Sequence, residues 1–340
     1  MKPKNVRAFA ALAAMVATAG LVSGCGSSSA SNAADQAVSG GQIVVRIPDP
    51  GNYGALALGK KDGSFAAALA AVGAKVDWVG TAGPFAPAAQ ELDSNELDIA
   101  QGSITSAVAA IAQSPGFKLF ADVAPDKIGE GILVKNNSGI TTVADLVGKN
   151  VIVAHGGTEE YLLLKALAKN GIAANKVNRI YLPPPQSGPV FHSGQADAWA
   201  TWSSFSLPEI ANQNEHLLVT GGEVGSQNYA VWAVRNGFLT AHPTVVKAIY
   251  TYLHANEQKQ AKNPAAYINV FRTSGPDAVS GQLRTLTEQD LAQLAPTSAI
   301  TATDKAAFSQ VAQFFVDQGV IPGTVEVNAS VVDVSSLPGS

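Results

Sequence analysis

From Gln42 onward, short runs of β-branched and aliphatic residues alternate with Ala/Leu-rich stretches of helical length. Segments 43–47, 76–80, 98–102, 118–123, 131–134, 151–154, 179–182, 198–201, 217–220 and 229–234 read as strands. Between them, 65–72, 86–92, 106–113, 143–146, 159–170 and 187–193 read as helices. Such alternation predicts βαβ units, mainly parallel sheets and helices on both faces, an α/β fold. After Asn236 the pattern turns helical, with expected helices at 243–260, 264–272, 277–283, 287–294 and 303–318. Ten strands within roughly 190 residues are many for one doubly wound sheet and suit two. A polar break near 125–130 and a second near 221–227 predict two lobes joined by two crossovers. The expected boundaries are 42–128 for the first part of lobe 1, 129–225 for lobe 2, 226–330 for the return to lobe 1 with its C-terminal helices, and 331–340 for a tail.

The first forty residues follow different rules. Lys2, Lys4 and Arg7 precede an apolar, Ala-rich stretch from Ala8 to Val22, a length that fits an export signal better than a membrane span. It ends in Leu21-Val22-Ser23-Gly24-Cys25, which resembles the bacterial lipobox. Residues 1–24 are therefore expected to be a lipoprotein signal peptide and Cys25 a lipidated residue. Residues 25–41, rich in Ser, Ala, Asn and Gly, are expected to be a flexible tether. Cys25 is the only cysteine, so no intrachain disulfide is possible. The expected location is the extracytoplasmic face of the cell membrane, held by acyl chains.

Charge narrows the partners. The 340 residues carry a formal charge of −4, and loss of residues 1–24 takes 22 basic residues to 19 against 26 acidic ones, about −7. With no stripe of Lys and Arg, a nucleic-acid partner is not expected.

In open α/β sheets ligands sit beyond the carboxyl ends of the strands. The loops there hold Asn52 and Tyr53 in Pro48-Asp49-Pro50-Gly51-Asn52-Tyr53-Gly54, then Gly83 and Pro84, then Gly102, Ser103 and Thr105, and in the second lobe Gly157, Thr158, Glu159 and Tyr161 after His155-Gly156. Glycines permit close backbone approach, and hydroxyls with free amides at a helix start make an anion site. Taken singly, the same residues serve as ordinary turn and cap residues. Trp202 at a strand end is a candidate pocket wall, whereas Trp199 inside the strand suits the core. Asp197 fits either a ligand amine or a turn, and Glu130 lies at the expected hinge. A catalytic reading can be drawn from Ser103, His155 and Asp197 as a triad, or Glu159 with Asp197 as an acid/base pair. No Gly-x-Ser-x-Gly elbow, His-Glu-x-x-His or P-loop supports it, and the histidines lack metal-ligand spacing. No metal or cofactor is expected.

The order of several segments resembles the aliphatic sulfonate-binding branch of the ABC-transporter solute-binding proteins, which are related to the taurine- and nitrate-binding proteins. They are Gly83-Pro84 with Glu91-Leu92 and Glu96-Leu97-Asp98-Ile99; Gly129-Glu130-Gly131-Ile132-Leu133-Val134; Thr142-Val143-Ala144-Asp145-Leu146-Val147-Gly148-Lys149-Asn150-Val151; Gly157-Thr158 with Tyr161-Leu162-Leu163; Tyr181-Leu182-Pro183-Pro184; Asp197-Ala198-Trp199-Ala200-Thr201-Trp202; and Gly319-Val320-Ile321-Pro322. The resemblance implies a type II periplasmic-binding-protein clamp that closes on a small anionic or zwitterionic solute, acts as a monomer, and hands the solute to an ABC permease and, through it, an ATPase. It implies a binding protein, not an enzyme. The alternatives are an extracytoplasmic enzyme acting on a small ester or sulfonate, and a sensor lipoprotein using the same clamp without transport. Two departures from the family pattern stand out. Glu159-Glu160 open the helix where relatives carry small, neutral or His residues, so either these carboxylates point away from the cleft or the ligand has a cationic group. Trp202-Ser203-Ser204-Phe205 replaces Trp-Asp-Pro-Tyr, so ligand identity does not carry over.

Overall fold

The computed structural model describes residues 41–113 and 115–339. The expected signal peptide, Cys25 and residues 25–40 of the tether lie outside the described residues. Ten strands fall on the ten runs expected: β1 (Ile43–Pro48), β2 (Ala74–Val79), β3 (Ile99–Ser103), β4 (Phe117–Val123), β5 (Gly131–Lys135), β6 (Asn150–Val153), β7 (Asn178–Tyr181), β8 (Ala198–Thr201), β9 (Glu215–Thr220) and β10 (Ala230–Arg235). The α-helices are α1 (Ala55–Asp62), α2 (Ser64–Ala70), α3 (Phe85–Asp93), α4 (Ile104–Ile111), α5 (Thr158–Lys169), α6 (Pro184–His192), α7 (Ser203–Asn212), α8 (Gly221–Val224), α9 (Asn236–Ala241), α10 (Pro243–Lys262), α11 (Gly281–Gln293) and α12 (Ala302–Asp317).

The strands form two groups, giving an α/β fold of two lobes. In the first, β1 pairs with β2 and β10 lies between β3 and β4; in the second, the order is β7-β6-β8-β5-β9. Pairing is mixed, not mainly parallel. β10 runs antiparallel to both neighbours, and so does β5. These two are the strands that enter a lobe from the crossover, so each arrives from the opposite direction to the βαβ strands it joins. Hydrophobic pattern alone cannot reveal this, because a strand buried on both faces reads as one apolar run in either direction.

Each lobe has a core on both sides of its sheet. In the first, Phe117, Leu119, Phe308 and Phe315 pack on one side, and Val45, Phe65, Phe120 and Val246 on the other. In the second, Val151, Leu163 and Ala198 face α5, while Phe191 and Trp199 lie opposite. Trp199, 2% exposed, is therefore a core residue. One ion cluster anchors the first lobe. Buried Asp98 accepts from Arg46 Nε (2.9 Å) and Nη2 (2.8 Å), and from Arg235 Nη2 (2.9 Å). Burial works against its charge, but the Arg46 and Arg235 hydrogen bonds outweigh it and hold the carboxyl below the usual range.

Three expected helices are different in the fold. Residues 264–272 form only a 3-10 turn, Pro264–Tyr267, ended at Ile268 and Asn269, the latter with φ 55°. Residues 277–283 and 287–294 merge into the single helix α11. Helices α1, α7, α8 and α9 have no counterpart among the expected ones.

Candidate ligand-binding cleft

A cavity of about 510 Å3 lies beyond the carboxyl ends of β1, β2 and β4, against the crossover and under α10 and α11. Four residues expected from sequence line it: Tyr53, Gly83, Pro84 and Glu130. Others were not anticipated: Asp126, Asn228, Trp232, Glu257, Gln260 and Leu291. Leu253, Glu257 and Gln260 are one stripe of α10, at i, i+4 and i+7. Polar residues on a stripe continuing the buried Val246, Ile249 and Leu253 were the available signal.

The lobes meet at a buried polar knot centred on Asn228, which is 2% exposed. Its Nδ2 donates to Glu130 Oε1 (2.6 Å) and Thr158 Oγ1 (2.9 Å), and its Oδ1 accepts from Thr105 Oγ1 (2.9 Å). Thr105 and Thr158, expected to face a ligand from opposite lobes, thus bind each other through an amide that uses all its side-chain hydrogens. Burial pushes the Glu130 carboxyl well above the carboxylate range, with Asp126 adding to the effect. Ser103 caps α4, accepting from Ser106 N at 3.3 Å. Gly102 does not line the cavity; a Cβ there would sit 2.2 Å from the Phe85 ring, so the glycine is what lets that ring pack.

In lobe 2, Gly156 takes φ +65°, a left-handed conformation suited to glycine, and its turn brings Gly157 to the N-cap of α5. Glu160 faces into a set of donors: Gly156 N (2.8 Å), Arg179 Nη1 (2.8 Å), Tyr181 OH (2.7 Å) and His155 Nδ1 (3.0 Å). Glu159 is 2% exposed, lines no part of the cavity, and its Oε1 has no partner. Burial raises its carboxyl to about 8, with Glu160 adding to the rise. Tyr161 is 1% exposed and meets Phe314 and Phe315 edge-on, with ring centroids at 5.5 and 5.9 Å.

Asn52 pins a neighbouring loop, donating to Arg272 O and Asp277 O and accepting from Phe271 N and Arg272 N. Asp197 accepts from Asn150 N (2.8 Å) at the end of β8 away from the cleft, where it holds a turn. Trp202 begins α7 and packs on Phe205 at 5.0 Å, outside the cavity. Ser103, His155 and Asp197 are each bonded to other groups, and no hydrogen bond joins any two of them.

A second contact between the lobes lies at α7 and α11. Ser203 Oγ is 2.8 Å from Asp126 Oδ2 and 3.1 Å from Asp290 Oδ1, while Tyr53 OH is 3.1 Å from Ser204 Oγ. One hydroxyl proton cannot satisfy two carboxylates. Burial, with the Asp126 charge, raises Asp290 to about 7, which eases the repulsion between the two carboxylates sharing Ser203.

Two α/β lobes joined by a double crossover, with a cavity at their strand ends, define the periplasmic-binding-protein fold. Residues 70–266 match the model of the family described as NMT1/THI5 like, and the chain belongs to that family. A Bacillus subtilis (strain 168) protein carrying the name aliphatic sulfonates-binding protein is 32% identical over 236 residues, covering 69% of each chain. The alkanesulfonate-binding protein SsuA from Xanthomonas axonopodis pv. citri, solved bound to MOPS, superposes with a TM-score of 0.75 at 25% identity, over 85% of this chain and 98% of that one. The desulfurization enzyme DSZB shares the fold alone, with a TM-score of 0.59 at 14% identity over 86% of this chain and 96% of its own.

Proposed function

We propose that this chain is the lipid-anchored, extracytoplasmic solute-binding component of an ABC importer, holding a small sulfonate or taurine-like solute between two lobes. The cavity of about 510 Å3 at the strand ends beside the crossover carries the reading, since an occupant there contacts both the lobe 1 loops and the hinge. Its floor includes Ala55 and Leu56, the first residues of α1, a helix that starts without a capping side chain. Free amides at such a start suit a sulfonate oxygen. The names of the B. subtilis and X. axonopodis relatives support the same solute class.

In this reading residues 1–24 are removed on export, Cys25 carries the acyl chains, and residues 25–41 are the tether. Residues 129–225 move against 42–128 and 226–330, and a permease with its ATPase recognises the closed monomer. The unassembled Ser103, His155 and Asp197 favour binding over catalysis. Three measurements test the reading. Intact mass of the membrane-extracted protein should show diacyl or triacyl Cys25 as the first residue. Small-angle scattering should show compaction on adding a sulfonate. Incubation with sulfonates and esters should yield stoichiometric binding and no product. An unlipidated Cys25, an unchanged scattering curve or steady turnover overturns the corresponding part.

A further inference from the structure

The cavity has no basic wall. Among the described residues lining it there is no Lys, Arg or His, whereas Glu91, Asp126, Glu130 and Glu257 all contribute. A bare anion entering it would meet acidic side chains, two of which, Glu130 and Glu257, burial shifts towards the neutral form, and no fixed positive side chain. A second observation is independent of that charge. Gln260 is 7% exposed and lines the same cavity, yet its Oε1, an obligate acceptor, has no hydrogen-bond partner. A buried unpartnered acceptor costs free energy unless a donor arrives. Glu257, one helical turn earlier, accepts from Thr297 N through Oε2 at 2.6 Å. Trp232 and Tyr53 supply aromatic surface in the same wall.

We infer that the solute bears a protonated nitrogen, which donates to Gln260 Oε1 and Glu257 on α10, with the Asp126 carboxylate and the Glu130 carboxyl beside it. The inference rests on the solute-binding reading above and refines it: the ligand is an amine-bearing compound, and a plain alkanesulfonate is a poor one. An ammonium group has three donors and no acceptor, the complement of a wall built from acceptors. The Glu159-Glu160 departure is not the source of this charge. Glu160 is consumed within lobe 2 and Glu159 lies outside the cavity, so the cationic selectivity comes from α10 and the crossover, not from the start of α5.

The test is calorimetric titration of the full chain with 2-aminoethanesulfonate, ethanesulfonate and 2-aminoethanol, repeated on Glu257→Gln and Gln260→Leu. A charge-assisted pair lost with the amine predicts ethanesulfonate binding at least about tenfold weaker than 2-aminoethanesulfonate. Both substitutions should narrow that gap chiefly by weakening 2-aminoethanesulfonate, by at least about fivefold. Equal or tighter binding of ethanesulfonate overturns the inference and leaves the sulfonate reading standing. If 2-aminoethanol binds as tightly as 2-aminoethanesulfonate, the amine inference holds and the sulfonate half of the proposed function falls. Absence of heat and of any melting shift with all three compounds overturns both.

Discussion

Replacing Glu159 with Gln should stabilise the protein, increasingly as pH rises above the ordinary carboxyl value of 4.5. The side chain is 2% exposed, one carboxylate oxygen has no partner, and burial holds its carboxyl at about 8 against an ordinary value of 4.5. A raised carboxyl binds its proton more tightly in the folded chain. Folding stability therefore falls as pH climbs from the unfolded value towards about 8, and is flat beyond. The full separation corresponds to a ceiling of about 5 kcal/mol; relaxation around the buried charge brings the expected effect to roughly 1–3 kcal/mol. Gln keeps the shape and removes the charge, so Glu159→Gln should match the parent near pH 5 and exceed it by that amount near pH 8.5. Urea titrations at both pH values measure the difference. Equal stability of the two proteins at pH 8.5 refutes the reasoning, because it means Glu159 ionises in the fold at no cost.

Three further outcomes are expected. Asp98→Asn leaves Arg46 and Arg235 short of their shared buried partner and should cost about 3–5 kcal/mol in urea unfolding; a loss under 1 kcal/mol contradicts the anchoring role. Gly102→Ala places a Cβ 2.2 Å from the Phe85 ring, with an expected cost of about 1–3 kcal/mol and a lowered melting temperature; an unchanged melting temperature refutes the close packing. Ser203→Ala removes the hydroxyl between Asp126 and Asp290 and should lower ligand affinity by about 1 kcal/mol, with scattering displaced towards an extended form; unchanged affinity and scattering dismiss that contact as a clasp.

Much of this architecture is legible in sequence because burial on both faces leaves continuous apolar runs. The runs at 131–134 and 230–234 stand out for that reason. Helix α1 is concealed by its own packing: Gly59 sits where a Cβ would lie 1.9 Å from Tyr252 OH, so the helix carries a residue that pattern reading counts as a breaker. Helix α7 is concealed by Pro208 in its interior. Around the cleft, Tyr53, Gly83 and Pro84, singled out in the loops after β1 and β2, line the cavity. The hydroxyls of Thr105 and Thr158 have the right chemistry but meet Asn228, a partner more than 60 residues from either. Glu257 and Gln260 escape notice because they stand on a helix remote in sequence from every strand end. Their relation to the cavity exists only once α10 folds back over it.

The side chain of Tyr161 carries a consequence for how the molecule comes apart. It projects from α5, whose other face covers the second sheet, yet it is buried among Phe314, Phe315 and their neighbours in the first lobe's core. Melting either half would strip an aromatic ring from the hydrophobic interior of the other. Heat should therefore dissolve the folded body in one cooperative step, giving a single calorimetric peak whose van't Hoff and measured enthalpies agree.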